Sequence, residues 1–248
     1  MSELTLPDGK RLALSIVINV EEGSEMNIAD GDKSPEPVDE LGLALKIPIR
    51  NYVNESNYQY GIRAGGPRVL KLLEKYDAKT TVTAAAVALE RAPQLAAEIK
   101  RQGHEVCSHG WRWVHQFSYD EDREREFIRK AADSIENTMG MRPCGWLSRY
   151  LHTDRTRRLL VEEGYTYHMD DMSDDVPHWE PVEMTDGATR GLVCMPYAID
   201  TNDMKFWVAP AYTPTQWLDY VRHSVDWMVE EGKEGARMLN VGLHLRII

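Results

Sequence analysis

Polar side chains that could carry out acid–base chemistry follow three apolar segments, each of which is predicted to be a strand. Glu21 and Glu22 follow residues 12–20, His109 ends a short segment that begins near residue 104, and His244 follows residues 238–243. A carboxylate can take a proton from water, and an imidazole can give a proton or a hydrogen bond to a developing oxyanion. Because active sites of β/α barrels lie at the carboxyl ends of the strands, we expect these side chains to meet in one cavity.

The two adjacent carboxylates are predicted to have different roles. Side chains of neighbouring strand residues point to opposite faces, so Glu21 and Glu22 would both face the cavity only if the strand has already ended. Two close negative charges also raise the pKa of one member of the pair. We predict that Glu21 is the general base and that Glu22 is an alternative base or an orienting group. His109 and His244 are expected to share the acid and oxyanion-donor roles, in an assignment that the sequence leaves open.

The elements that must position these groups are predicted from strand-like and helical patterns, which alternate along the chain. Strands are predicted at residues 12–20, 80–83, 103–109, 144–147, 165–169, 192–195 and 238–243, and helices at residues 67–76, 86–102, 121–139, 154–163 and 214–231. Residues 23–64 are predicted to be a long irregular loop, which could close one end of a site as a lid. Strands joined through helices favour parallel pairing with right-handed crossovers.

This alternation predicts an α/β fold with a barrel of about seven strands, formed by a single domain over residues 1–248. No Gly-x-Gly-x-x-Gly follows the first strand, and polar residues close almost every strand, not only those at one switch point. Both observations favour a β/α barrel over an open doubly wound sheet. No linker rich in Gly, Ser or Pro divides the chain into two halves.

Composition excludes several classes of partner. The formal net charge of −11 argues against binding to a phosphate backbone, which requires clustered Lys and Arg. No segment approaches the roughly 20 apolar residues of a membrane span, and the amino terminus lacks the features of a signal peptide. The three cysteines are widely spaced, as is typical of a reducing compartment. We therefore expect a cytoplasmic protein that acts on a small molecule, with no nucleic-acid or membrane partner.

Eight short motifs occur in a characteristic order along the chain: NVEEG at 19–23, YGIRAG at 60–65, SHGWRW at 108–113, RPCGW at 142–146, DDVPHW at 174–179, PY at 196–197, NDM at 202–204 and GLH at 242–244. Together they resemble the polysaccharide deacetylase superfamily with its NodB-type domain, and within it the branch that contains metal-independent allantoinases. The resemblance implies a distorted (β/α) barrel and hydrolysis of a carbon–nitrogen bond other than a peptide bond.

The resemblance also bears on whether a metal ion takes part. Members of the superfamily that deacetylate sugars use an Asp-His-His triad, in which the ion acidifies water and polarises the carbonyl group. In this chain Trp113 stands four residues after His109, and Asn19 and Glu21 stand near the expected aspartates. The similarity to the allantoinase-like branch favours a site without a cofactor. The alternative is a Zn²⁺ site formed by Glu21, His109 and His115.

Aromatic residues beside the motifs suggest that the substrate is a small planar ring, such as a cyclic ureide or imide, held by stacking and a few hydrogen bonds. Arg63 and Arg149 could hold substrate carbonyls or a carboxylate through paired hydrogen bonds. The resemblance implies that Asp175 and Trp179 belong to a substrate-binding loop. The full predicted binding set is Tyr60, Arg63, Trp111, Trp113, Trp146, Arg149, Asp175, Trp179 and Tyr197, of which Trp111, Trp113, Trp146 and Trp179 could equally belong to the core.

Three functions are compatible with these residues. The first is a metal-independent hydrolase of a small cyclic amide or ureide, and the second is a metal-dependent N-deacetylase of polysaccharide or peptidoglycan. The third is an inactive barrel that binds a ligand, since Asn19 and Trp113 replace family ligands. The chain stops soon after His244, where family members continue with a further helix. Either the chain is truncated there or an interface shields the uncovered apolar strand, and because the resemblance is to a branch whose members assemble as oligomers, we expect a homo-oligomer.

Overall fold

The computed structural model describes residues 4–38, 40, 42, 45 and 47–248, and its centre is an eight-stranded sheet. The strands are β1 (Leu12–Val20), β2 (Thr81–Ala84), β3 (Glu105–Ser108), β4 (Gly145–Trp146), β5 (Tyr167–His168), β6 (His178–Glu183), β7 (Thr189–Cys194) and β8 (Arg237–His244). The helices are α1 (Tyr52–Tyr60), α2 (Gly66–Lys75), α3 (Ala86–Arg91), α4 (Pro93–Gln102), α5 (Glu121–Met139), α6 (Thr156–Glu162) and α7 (Pro214–Glu231).

The strand order in the sheet is β6-β7-β5-β4-β3-β2-β1-β8, and every pair is parallel except β6 with β7. Loop segments cover the free edge of β8: Asn202 forms a bridge with Gly242, and the Met238 amide donates to the carbonyl oxygen of Asp175 at 3.0 Å. The prediction of a distorted β/α barrel is confirmed. The carboxyl ends of β1, β3 and β8 all open on the same side, because parallel strands share their direction.

The predicted count of seven strands was too low, because β6 was missed. Its sequence, HWEPVE, contains a proline and shows little apolar character, so it lacks a clear strand pattern. β6 forms an antiparallel hairpin with β7 at the edge of the sheet, where a proline is tolerated because one side of the strand needs no ladder hydrogen bonds. The predicted helix over 86–102 is also two helices, α3 and α4, which Ala92 separates because Pro93 must begin a new helix.

The predicted irregular loop over 23–64 contains regular structure, which corrects the sequence-based assignment. Helix α1 lies within it and continues through a π-helical segment, Gly61–Gly65, directly into α2. The Asn51 side chain caps α1 by accepting a hydrogen bond from the Asn54 amide at 3.1 Å. Helix α1 buries only Asn54 and Tyr58, so it shows no apolar stripe in the sequence. Residues 39, 41, 43, 44 and 46 of the predicted lid lie outside the described residues.

The core is built from the inner sides of the sheet and the helices that cover it. One cluster packs α2, α3 and α4 against β1 and β2, and a second packs α5 and α6 around Trp146. The Trp146 ring is fully buried and meets Phe127 and Tyr165 edge-on. Among the described residues, no helix has the length and apolar character required to cross a membrane.

Gly65 lies where the π-helical segment passes the carboxyl-terminal part of the chain. A Cβ at this position would lie 1.7 Å from the carbonyl oxygen of Leu245, so no side chain fits without backbone movement. We expect Gly65→Ala to lower the free energy of unfolding by about 3 kcal/mol, at the upper end of typical overpacking costs. Urea unfolding would measure the effect, and an unchanged midpoint would contradict the close approach.

Candidate active site

A cavity of about 350 Å³ opens at the carboxyl ends of β1, β3 and β8. The polar side chains on its wall come from segments far apart in the sequence: Asn19, Glu21, His109, Trp113, Ser148, Arg149, Tyr150, Asp170, Tyr197, Asn202, Lys205, His244 and Arg246. The apolar wall is formed by Leu147, Met169, Met172, Ile199, Met204 and Val208. The three groups expected to meet, Glu21, His109 and His244, share this one cavity.

Glu21 lies at the centre of the charged groups. Its Oε1 is 3.4 Å from Nε2 of His109 and 3.6 Å from Nε2 of His244, and its Oε2 accepts a hydrogen bond from Nη1 of Arg246 at 2.7 Å. Burial by itself would raise the pKa of Glu21, but the positive charges of Arg246 and His244 outweigh it and hold this pKa well below the ordinary value. Glu21 is therefore a carboxylate throughout the neutral range.

Glu22 has the opposite environment. Its side chain is fully buried and lies against Gly61, away from the cavity wall, and its Oε1 is 3.4 Å from Arg246. Burial and the neighbouring charge of Glu21 raise the pKa of Glu22. Of the two adjacent carboxylates, Glu22 is therefore the one with the raised pKa, and it lies outside the cavity. Glu21, with the lowered pKa, is the one that lines the cavity.

The hydrogen bonds of His109 define its tautomer. Nδ1 lies 2.7 Å from the carbonyl oxygen of Leu147, which can only accept, and Nε2 lies 3.1 Å from the indole nitrogen of Trp113, which can only donate. His109 thus carries its proton on Nδ1 and accepts through Nε2. In this state it has no N–H directed at Glu21 and cannot be the proton donor of the site.

His244 has the geometry of a proton donor. Its backbone amide and its Nδ1 both donate to the buried carboxylate of Asp203, at 2.7 Å and 2.6 Å, which leaves Nε2 facing Glu21 and the cavity. Burial would lower the pKa of His244, but the charges of Asp203 and Glu21 raise it above the ordinary value. The structure thereby distinguishes two histidines that the sequence could not separate.

Tyr197 is positioned to donate a hydrogen bond into the cavity. Its hydroxyl oxygen accepts from Nδ2 of Asn19 and from Nδ2 of Asn202, each at 3.1 Å, so its own proton remains available. Burial raises the pKa of Tyr197, which keeps the hydroxyl protonated. Asn19 is held in turn by Thr83, whose hydroxyl donates to Oδ1 at 2.6 Å.

Arg246 is a buried cation that the sequence-based reasoning missed. Nη1 contacts Glu21 and Glu22, Nε donates to Glu40 at 2.5 Å, and the guanidinium carbon lies 4.5 Å from the centre of the Tyr58 ring. Arg246 lies two residues after His244, in the turn that follows β8, where the Ile247 amide donates to the carbonyl oxygen of His244 at 3.0 Å. Strand periodicity does not extend into a turn, so the sequence pattern gave no signal for it.

We expect Arg246→Met to lower the free energy of unfolding by about 3–5 kcal/mol, because three buried carboxylates would lose their common cation. Urea denaturation at neutral pH would measure this loss. The matched control is Arg142→Met, since Arg142 pairs with exposed Asp133 and Glu136 and should contribute at most about 1 kcal/mol. Equal losses in the two variants would contradict the arrangement.

The donor atoms in this cavity do not fit a metal centre. Nε2 of His109 already accepts from Trp113, and both atoms of the Asn19 amide are engaged, Oδ1 by Thr83 and Nδ2 by Tyr197 and the carbonyl oxygen of Leu243. The guanidinium of Arg246 lies beside Glu21, where it would repel a cation. His115, the third ligand of the alternative zinc site, lies outside the cavity with its ring against Phe117 and Tyr150.

Three of the predicted binding residues, Trp113, Arg149 and Tyr197, line the cavity. The guanidinium of Arg149 is already engaged, because Nη1 donates to Glu36 and to the carbonyl oxygen of Trp113. Only its Nε lacks a partner within the described part of the chain. Arg149 is thus held by a buried ion pair, and its Nε is itself buried.

The other predicted binding residues do not reach the cavity. Trp146 is in the core, Trp111 packs beside α5 under Lys130, and Trp179 is 71% exposed on the edge hairpin. The remaining three are Tyr60, which pairs with Arg68, the exposed Arg63, and Asp175, whose carbonyl oxygen holds β8. A motif can therefore follow family order and still contribute to packing, because alternate side chains of one segment point in different directions.

The chain is similar in sequence to polysaccharide deacetylases. The family model described as polysaccharide deacetylase matches residues 56–168. The chain is 32% identical to a Schizosaccharomyces pombe (strain 972 / ATCC 24843) protein assigned to the polysaccharide deacetylases, over 97% of this chain and 80% of that protein.

Two solved structures share the fold over nearly the whole chain. The crystal structure of PuuE allantoinase is 39% identical with a TM-score of 0.91, covering 98% of this chain and 80% of that one. A Pseudomonas aeruginosa PAO1 protein assigned to the polysaccharide deacetylases is 37% identical, also with a TM-score of 0.91, covering 98% of this chain and 81% of that one. With a buried carboxylate and a carboxylate-bound histidine at the mouth of the same barrel, the chain belongs to the polysaccharide deacetylase family and is a hydrolase of carbon–nitrogen bonds.

Proposed function

We propose that this protein hydrolyses a small cyclic amide or ureide without a metal ion. The observation that carries the proposal is the hydrogen bond from Trp113 to Nε2 of His109, because it occupies the atom with which this histidine would bind a metal. The similarity to PuuE allantoinase, whose name describes action on a cyclic ureide, supports the same substrate class for this chain.

The cavity supports a small substrate. A volume of about 350 Å³ lies at the lower end of the range typical of small-molecule pockets, and its apolar wall is suited to the faces of a planar ring. The Tyr197 hydroxyl is a polar group that could fix such a ring. A polymer would have to leave most of its length outside this space.

The arrangement provides a route for each proton of the reaction. Glu21 takes a proton from water as the water oxygen bonds to the amide carbon, and the carbonyl π electrons move to oxygen, where the Tyr197 hydroxyl donates a hydrogen bond. When the carbonyl re-forms, the carbon–nitrogen bond breaks and the nitrogen takes the proton from Nε2 of His244. Glu21 then returns its proton to His244, so that one water is added to the substrate and both groups are restored.

The test combines a substrate panel with metal analysis of the purified protein. We expect turnover of at least one five- or six-membered cyclic ureide or imide, and none of N-acetylglucosamine oligomers, with activity that survives exhaustive chelation. The names of the S. pombe and P. aeruginosa relatives suggest the competing function, a polysaccharide deacetylase. Deacetylation that is lost on chelation and restored by Zn²⁺ would establish that function instead, and binding without any turnover would indicate an inactive barrel.

A further inference from the structure

A second group of metal-ligating side chains lies outside the catalytic cavity wall, where the end of β5 meets the hairpin formed by β6 and β7. Asp171, His178 and Cys194 each place one donor atom so that the three atoms lie within 4.8 Å of one another. We propose that these three side chains bind a Zn²⁺ ion that fixes the segment over residues 170–177. Carboxylate, imidazole and thiolate together form a donor set that suits Zn²⁺.

The sheet brings the three residues together without any local sequence motif. His178 and Cys194 are directly paired across the antiparallel β6–β7 ladder, so their side chains share one face at short range. Cys194 also pairs with His168, the last residue of β5, and Asp171 lies three residues after His168. The donors therefore come from β6, β7 and the segment that follows β5.

Hydrogen bonds leave each residue with an atom able to coordinate. Nδ1 of His178 lies 3.3 Å from the carbonyl oxygen of Val176, an arrangement that orients metal-binding histidines by leaving the lone pair on Nε2. Oδ1 of Asp171 accepts from the Ser173 amide at 2.7 Å, which orients the carboxylate with Oδ2 directed elsewhere. No hydrogen bond joins the buried Sγ of Cys194 to another described residue.

One positive charge, that of Arg157, lies beside the three donors and must shift when an ion binds. Arg157 lies 3.5 Å from Oδ2 of Asp171 but only 2.7 Å from Glu180, so it can remain on Glu180 when an ion takes the aspartate. Coordination by the Cys194 thiol would release its proton to solvent.

The ion would lie outside the cavity, beside its wall. Asp170 and Met172 flank Asp171 and line the catalytic cavity, while Tyr197 donates its backbone amide to the carbonyl oxygen of Asp171 at 2.9 Å. Tying Asp171 to the edge hairpin would stabilise this segment against unfolding, while the hydrogen bonds that already hold it leave turnover intact when the ion is removed. The role is structural and independent of how water is activated, so it goes beyond the proposed function.

The experiment uses the full chain, stripped of metal by chelation and then titrated with Zn²⁺ and Co²⁺. We expect one ion per chain, a melting temperature that rises with Zn²⁺, and the near-ultraviolet absorption of a cobalt–thiolate bond. Cys194→Ser should abolish that absorption and weaken Zn²⁺ binding more than about 100-fold. Removing a residue that only hydrogen-bonds to a metal ligand already lowers metal affinity about 10–100-fold, and Cys194 would be a ligand itself.

The control is Cys144→Ser, a half-exposed thiol near Glu105, which should bind both ions as the parent does. Asp171→Asn keeps the shape of the side chain and should also weaken binding, which protects the test against misfolding of the cysteine variant. The proposal is overturned if the parent chain binds no Zn²⁺, or if Cys194→Ser and Asp171→Asn bind it unchanged. Binding that is lost in His244→Ala and kept in Cys194→Ser would place the ion in the catalytic cavity and overturn it equally.

Discussion

Glu21→Gln is expected to lower kcat about 10³–10⁴-fold on the substrate identified by the panel, the full contribution of a general base. Glutamine has the same shape but cannot take a proton from water, and Arg246 keeps its contacts with Glu22 and Glu40. We therefore expect the variant to fold. Steady-state kinetics and circular dichroism would measure the two expectations together.

The matched control for removing a buried carboxylate is Glu124→Gln. Glu124 is fully buried and bound to Arg155 and Thr156, away from the cavity. This variant should lose stability and keep its kcat. If Glu21→Gln retains near-parental activity, or if both variants lose activity equally, Glu21 is not the base.

Asp203→Asn is expected to lower kcat about 10²–10⁴-fold and to change the pH profile. Asp203 holds the Nδ1 proton of His244 and raises the pKa of that ring, so that Nε2 carries a proton to donate. An amide in its place removes the charge, so the imidazolium form is lost at a lower pH. The alkaline limb of kcat against pH should therefore move toward lower pH.

Asp200→Asn provides the comparison, because Asp200 is a nearby carboxylate that accepts from the Tyr220 hydroxyl at 2.7 Å outside the catalytic cavity. Its pH profile should match that of the parent. A uniform loss of activity in Asp203→Asn, without movement of the alkaline limb, would mean that Asp203 only supports the fold and that His244 is not the proton donor.

The sheet could be predicted where the sequence is strongly periodic. Residues 12–20 form β1, and a buried apolar strand followed by Glu21 gave both the element and the position of the site. The prediction failed where polar residues form regular structure: α1 buries Asn54 and Tyr58, and β6 contains Pro181. Such elements are stabilised by tertiary contacts, which leave no apolar period in the sequence.

Within the site, the sequence located the residues better than it located their roles. Glu21, His109 and His244 share the cavity as expected, because strand ends in a parallel barrel meet on one side. Trp111 and Trp179 carry equally convincing motifs, yet one packs beside a helix and the other is exposed. Side-chain direction at the end of a strand depends on where the strand stops, which the residue order does not encode.

The sequence by itself determined the barrel, the family and the strand ends that form the candidate site, since periodicity and motif order are properties of the chain alone. Only the tertiary structure decided the protonation states. Neither Asp203 nor Arg246 was assigned a role from the sequence, yet Asp203 raises the pKa of His244 and Arg246 holds that of Glu21 low. These charges act across a few ångströms of buried space between residues that are 41 and 225 positions apart in the sequence, a separation that only folding removes.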